Sequence, residues 1–223
     1  MKLTTILAAK TALLLFVALP VMAADTTLYV SRSGSKMRIE GTSSVHDWQC
    51  ESPFIGGSLE VGPGFPGEPG AEAKPGKVDA KGEVFVTVRS LKSLEKDGKP
   101  YSDAMDDRVY TAMEASKFPK ISFYVSELTL KEAAASKDKP YVFDVKGNLV
   151  IHGVTNSVSM PVNVLPMADK KVKISGNTTV KMTAFKIDPP APKLALGLIK
   201  TGDDVKVIFD WMVAPRAPAT ATK

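Results

Sequence analysis

MDDRVYTAMEASKFPK (105–120), ISFYVSELTL (121–130), YVFDVKGNLVIHG (141–153) and SVSMPVNV (157–164) lie in succession between Met105 and Val164. In the first run Met105, Val109, Ala112 and Met113 fall at i, i+4, i+7 and i+8, which is one apolar face of a helix. Ser102 stands where an N-cap belongs, and Asp103, Asp106 and Asp107 suit the positive end of a helix. The period then drops from 3.6 to two. Ile121, Phe123 and Val125 alternate with Ser122, Tyr124 and Ser126, while Phe143, Val145, Leu149 and Ile151 share one parity. Val158, Met160, Val162 and Val164 do the same. A helix followed by several alternating runs predicts an antiparallel sheet with one buried face.

Outward from this stretch the pattern persists. Leu28, Val30, Met37 and Ile39 belong to the first strand or strands, bent at Ser33-Gly34-Ser35. GPGFPGEPGAEAKPG (62–76) reads as a mobile surface insertion, since three Gly-x-y triplets are far too few for a collagen helix. Val84, Val86 and Val88 alternate with Glu83, Phe85 and Thr87. Val172, Ile174, Val180 and Met182 alternate across Gly176-Asn177, a candidate bulge or turn. Leu194, Leu196 and Leu198 share a parity, and Gly202-Asp203 reads as a turn. Val205, Val207, Phe209, Trp211 and Val213 give the cleanest alternation of all. About eight strands and one short helix predict an all-β fold, an antiparallel up-and-down barrel that removes sheet edges by closing on itself. A sandwich is the competing architecture.

The order DDRVYTAMEASKFPKISF, VKGNLVIHGVTNSVSMPV, GNTTVKMTAFKID and GDDVKVIFDWMV resembles the YceI-like family, whose members resemble lipocalins in fold. An early Gly-Thr-Ser-x-x-His-Asp-Trp, here Gly41 to Trp48, fits the same pattern. The likeness covers nearly all of the chain after residue 24. One departure is that the helix segment has no His, where many members show a His-Leu pair. The resemblance implies a lipocalin-like barrel that encloses a long-chain isoprenoid or other amphiphilic lipid.

Lys2 and Lys10, the apolar run Thr11–Leu19 and Val21-Met22-Ala23 form the pattern of a cleaved signal peptide, residues 1–23. The apolar run is well short of the roughly 20 residues that a membrane span needs. The expected domain is 24–214, with 215–223 as a disordered tail, and the expected location is the periplasm or the medium. Removing Lys2 and Lys10 takes the formal charge from +5 to +3. The basic residues are interspersed with acidic ones, so nucleic acid is not an expected partner, whereas a transient contact with a membrane surface is. Cys50 is the only cysteine, so no internal disulfide forms. It reads as a small buried apolar residue, with an intermolecular disulfide as the alternative.

The candidate lining consists of one-parity residues: Val84, Val86, Ile121, Phe123, Phe143, Val145, Leu149, Ile151, Val158, Met160, Val162, Val205, Val207, Phe209 and Trp211. Periodicity alone leaves open whether they fill a core or line a cavity, since a barrel of about eight strands does either. The resemblance implies a cavity. Arg108 and His46 are candidate headgroup contacts at its mouth. No catalytic residues, metal site or cofactor are expected. His46 and Asp47, adjacent on a strand, point to opposite faces, and H-E-x-x-H, G-x-S-x-G and phosphate-loop motifs are absent. His152 beside Gly153 reads as a solvated turn residue. A solid-cored interaction module and a metal-dependent hydrolase using His46 or His152 are the rival functions.

Overall fold

The computed structural model describes residues 25–191 and 199–217. The segment expected to be a signal peptide, the run holding Leu194, Leu196 and Leu198, and the tail beyond 217 lie outside them. In chain order the strands are β1 (Thr27–Ser31), β2 (Lys36–Ser43), β3 (Trp48–Ser52), β4 (Gly56–Val61), β5 (Gly76–Val78), β6 (Ala80–Thr87), β7 (Lys92–Leu94), β8 (Lys120–Glu132), β9 (Tyr141–Ile151), β10 (Val154–Pro166), β11 (Val172–Lys181) and β12 (Thr201–Pro215). The helix α1 (Asp103–Ala112) lies between β7 and β8, and single 3-10 turns occupy Val88–Ser90 and Thr183–Phe185.

Several strands are halves of one longer stave. β1 and β2 both pair antiparallel with β12, with Tyr29 opposite Pro215 and Met37 opposite Phe209. Their break is at Gly34, whose φ of 92° suits glycine. β3 with β4, and β5 with β6 and β7, divide in the same way. The described residues thus form eight staves in sequential order, closed where β1 and β2 meet β12. This is the antiparallel up-and-down barrel that the alternation predicts, and closure leaves no free sheet edge along most of its height. β12 runs through Pro215, and the Arg216 N–H donates to the Leu28 carbonyl at 2.7 Å. Ordered pairing therefore extends past the expected start of the tail at 215.

One irregularity changes which residues point inward. In β8 the register slips between Val125 and Glu127, so the inward set passes from Ile121, Phe123 and Val125 to Leu128 and Leu130. A bulge of this kind shifts parity by one residue. β11 is continuous through Gly176, which is not a turn, and Gly202 lies at an irregular start of β12 rather than in a separate turn.

The Gly/Pro-rich segment also differs from its expected form. It is packed across one end of the barrel. The Phe65 ring lies 5.4 Å from Tyr29 and 6.0 Å from Phe143, Pro66 is fully buried, and the Tyr141 hydroxyl donates to the Ala71 carbonyl at 2.5 Å. Proline lowers the entropy lost on ordering such a loop, and one aromatic anchor seats it. Near the other end β7 has β3 as its strand partner, and its second edge is covered by Pro100 and Tyr101, whose N–H donates to the Ser93 carbonyl at 2.9 Å, and by α1. The Ser93 N–H donates to Asp106 Oδ1 at 2.6 Å, and the Tyr110 hydroxyl donates to the Leu91 carbonyl at 2.8 Å. The helix thereby satisfies backbone groups that a bare edge would leave unpaired.

Candidate lipid-binding cavity

Inside the barrel is a cavity of about 330 Å³, at the lower end of the range typical of ligand pockets. Of the fifteen expected lining residues, fourteen line it: Val84 and Val86 from β6, Ile121 and Phe123 from β8, Val145, Leu149 and Ile151 from β9, Val158, Met160 and Val162 from β10, and Val205, Val207, Phe209 and Trp211 from β12. Phe143 does not. It has the expected inward parity but is fully buried at the plugged end against Phe65, where the interior is solid.

Other lining residues lay outside the expected set. Met37, Ile39 and Leu59 come from the first staves, Phe65 from the plug, Leu128 from beyond the bulge, and Phe185 and Ile187 from the turn after β11. The helix supplies Met105, Val109, Ala112 and Met113, the same four residues whose spacing marks its apolar face. That periodicity was the signal that could have assigned them to the site.

The interior stays hollow partly because three aromatic rings lie along its wall. A Cβ added at Gly147 would stand 2.6 Å from the Phe123 ring, one at Gly176 would stand 3.0 Å from Phe209, and one at Gly41 would collide with Trp48. Glycine on the neighbouring stave lets each ring lie over the backbone instead of projecting across the lumen. Trp211 is held in the wall by its indole N–H, which donates to Ser31 Oγ at 2.8 Å.

The mouth is bordered by α1, by the loop between β2 and β3, and by the segment after β11. Arg108 and His46 both reach the lining there. The His46 Nδ1 is 2.8 Å from the Asp47 carbonyl, and its ring meets Tyr101 edge-on at 6.2 Å. The helix is fixed in place by Asp106, which is buried and lies 2.9 Å from the Lys92 ammonium. It is not the surface ion pair that an exposed helix would carry. Burial pushes the Asp106 carboxyl up, but Ser93 and Lys92 more than offset this and hold it below the ordinary carboxylate range. The same contact raises Lys92.

His152 is likewise not a solvated turn residue. Its side chain is only 12% exposed, with Nε2 3.2 Å from Glu114 Oε1, Nδ1 3.2 Å from the Phe185 carbonyl and the ring 4.8 Å from Phe118. It ties the hairpin after β9 to the segment following α1. The facing imidazole is the main cause holding Glu114 below the usual carboxylate range. Cys50 is buried, as expected for a small core residue. Among the described residues no group of three or more His, Cys, Asp and Glu side chains gathers at one place, and no helix is long and apolar enough to cross a membrane.

Comparison with known proteins agrees with this architecture. A model of the YceI-like domain matches residues 58–213. Among solved structures, BcnA of Burkholderia cenocepacia superposes with a TM-score of 0.57 at 18% identity, covering 81% of this chain and 96% of that one. A polyisoprenoid binding domain from Saccharophagus degradans, implicated in plant cell wall breakdown, superposes with a TM-score of 0.56 at 12% identity, covering 86% of this chain and all of the other. At these identities the likeness is one of fold. Curated proteins give no match. The closed antiparallel barrel, its helix and a domain match spanning most of the chain place this protein in the YceI-like family.

Proposed function

We propose that this protein is an exported binding protein that encloses the tail of an amphiphilic lipid, a polyisoprenoid such as an isoprenoid quinone or lipid carrier, for storage or transport in the periplasm. The observation that carries this reading is the apolar lumen of about 330 Å³, walled by side chains from the staves and helix and reaching polar groups only at its mouth. The likeness in fold to a polyisoprenoid binding domain supports it. Each buried CH₂ contributes roughly 0.8 kcal/mol, so a long tail supplies affinity with little polar recognition. Flexible methionines at 37, 105, 113 and 160 suit an oily chain of irregular outline.

The activity proposed is binding and not catalysis. His152 is engaged by Glu114 and Phe185 in a structural contact, and His46 stands on a different loop at the mouth. The N-terminal charged and apolar run supports export, with a mature N-terminus at Ala24 or within a residue or two.

Organic extraction of protein purified from its native host, followed by mass spectrometry, tests the reading. The expected result is a stoichiometric lipid whose fragments repeat at the isoprene mass. A clean extract from protein that also fails to take up added polyprenoid argues for a solid-cored interaction module instead.

A further inference from the structure

We infer that the lipid this cavity selects ends in an oxyanion, and that Arg108 reads that headgroup. The inference rests on the lipid-binding reading above and narrows its substrate class. The charged side chains that line the cavity are asymmetric in sign. Among the described residues that line the cavity there is no Asp or Glu at all, while Arg108, Lys181 and His46 are present with Ser43, Thr178 and Thr201. Asp203 and Asp204 stand just outside the lining against Lys181, so the surface that meets a ligand presents cations and no carboxylate, which suits an anion because like charge at close range is costly.

The two permanent cations are not equivalent. Lys181 is already satisfied, with its ammonium 2.8 Å from Asp204 and 4.0 Å from Asp203. The Arg108 guanidinium makes no ion pair or hydrogen bond to any described residue. Its position on α1 accounts for this. At about 100° per residue, Asp106 and Tyr110 share the flank that docks on the β7 edge, Met105, Val109 and Ala112 face the lumen, and Arg108 lies on the flank away from Asp106. The apolar anchor and the guanidinium therefore sit side by side on one rigid element, so a tail buried against Met105 and Val109 brings its head to Arg108. A guanidinium presents a planar fork of donors that matches a phosphate or carboxylate bidentately. His46 lies on the loop between β2 and β3 that also borders the mouth.

The test compares geranylgeranyl phosphate with geranylgeraniol, which share a tail and differ only in the anion. Trp48 and Trp211, the two tryptophans of the chain, both line the cavity and report binding by fluorescence. Wild-type protein is expected to bind the phosphate ester about tenfold or more tightly than the alcohol, about 1.4 kcal/mol or more. Arg108→Ala should remove most of that advantage by weakening the ester far more than the alcohol, with Arg108→Lys intermediate. Raising salt from about 0.1 M to about 1 M, which shortens screening from roughly 10 Å to roughly 3 Å, should shrink the advantage in wild type only. Equal binding of ester and alcohol overturns the inference but leaves the lipid reading intact. So does an Arg108→Ala loss that is equal for both ligands, which marks a packing role. Displacement of the ester by inorganic phosphate at comparable affinity overturns it in favour of a free-anion site. Failure of either tail to bind removes the lipid reading itself.

Discussion

Asp106 shows how much one side chain contributes. It accepts the Ser93 N–H at 2.6 Å and meets Lys92 at 2.9 Å while itself buried. Replacing it with Ala orphans a backbone donor at the β7 edge, and should cost about 2 kcal/mol in thermal or urea unfolding. The pH dependence follows from its depressed acidity. A carboxyl held below its unfolded value contributes stability that is present above that value and lost as pH falls through the folded one. Wild-type melting temperature should therefore fall on acidification below about 4, and Asp106→Asn should flatten the curve in that window. Cys50 gives a second prediction at this scale. Burial first, and the nearby Asp106 charge second, push its thiol up to about 12, and the residue has no exposed surface. The thiolate is the reactive form, so native protein at neutral pH should resist alkylation and form no intermolecular disulfide, while urea-unfolded protein labels fully. Rapid labelling of the native state counted by intact mass would contradict this placement.

At the scale of elements, β10 offers the sharpest contrast. Met160 faces the lumen, and Ser159, its neighbour, is exposed on the outer wall. Where a side chain borders empty space, enlargement avoids the roughly 1–3 kcal/mol cost of overpacking a filled core. Met160→Trp should thus lower the bound lipid measured by extraction while keeping the melting temperature near that of wild type, and Ser159→Trp should change neither. Equal loss of lipid in both variants would sink the inward assignment. Such assignments were legible in the sequence wherever a strand keeps strict alternation, as in β9, β10 and β12. They failed where a local event intervenes. The bulge at Val125–Glu127 hides Leu128 from a simple parity count. Phe65 sits in a loop whose composition signals only a turn, because its burial depends on Tyr29 and Phe143, which are remote in the chain. Phe143 was placed on the correct face but in the wrong role, since periodicity specifies direction and says nothing about depth along the barrel axis. The helix declared its apolar face through residues 105, 109, 112 and 113, yet only the packed barrel shows that this face completes a lumen.

For the whole molecule the decisive contact is between its two ends. β1 pairs with β12 through Tyr29–Pro215, Val30–Ala214 and Ser31–Val213, and β2 pairs with the earlier part of the same strand. A variant truncated before Thr201 loses the strand that joins β11 to β1 and β2, and exposes the edges of all three. It should be recovered as aggregate or misfolded oligomer by size-exclusion chromatography, in contrast to the intact barrel. Ring closure also governs the timing of folding. The pairing of greatest sequence separation is the one that seals the barrel, and non-local pairing of this kind slows folding to the millisecond-to-second range because loop entropy is lost before the contact rewards it. While the polypeptide is being synthesised, β1 waits without its β12 partner until the C-terminal strand emerges. The completed barrel is thus a strictly post-synthetic state, and any factor that holds the unfinished chain has the whole period of its elongation in which to act.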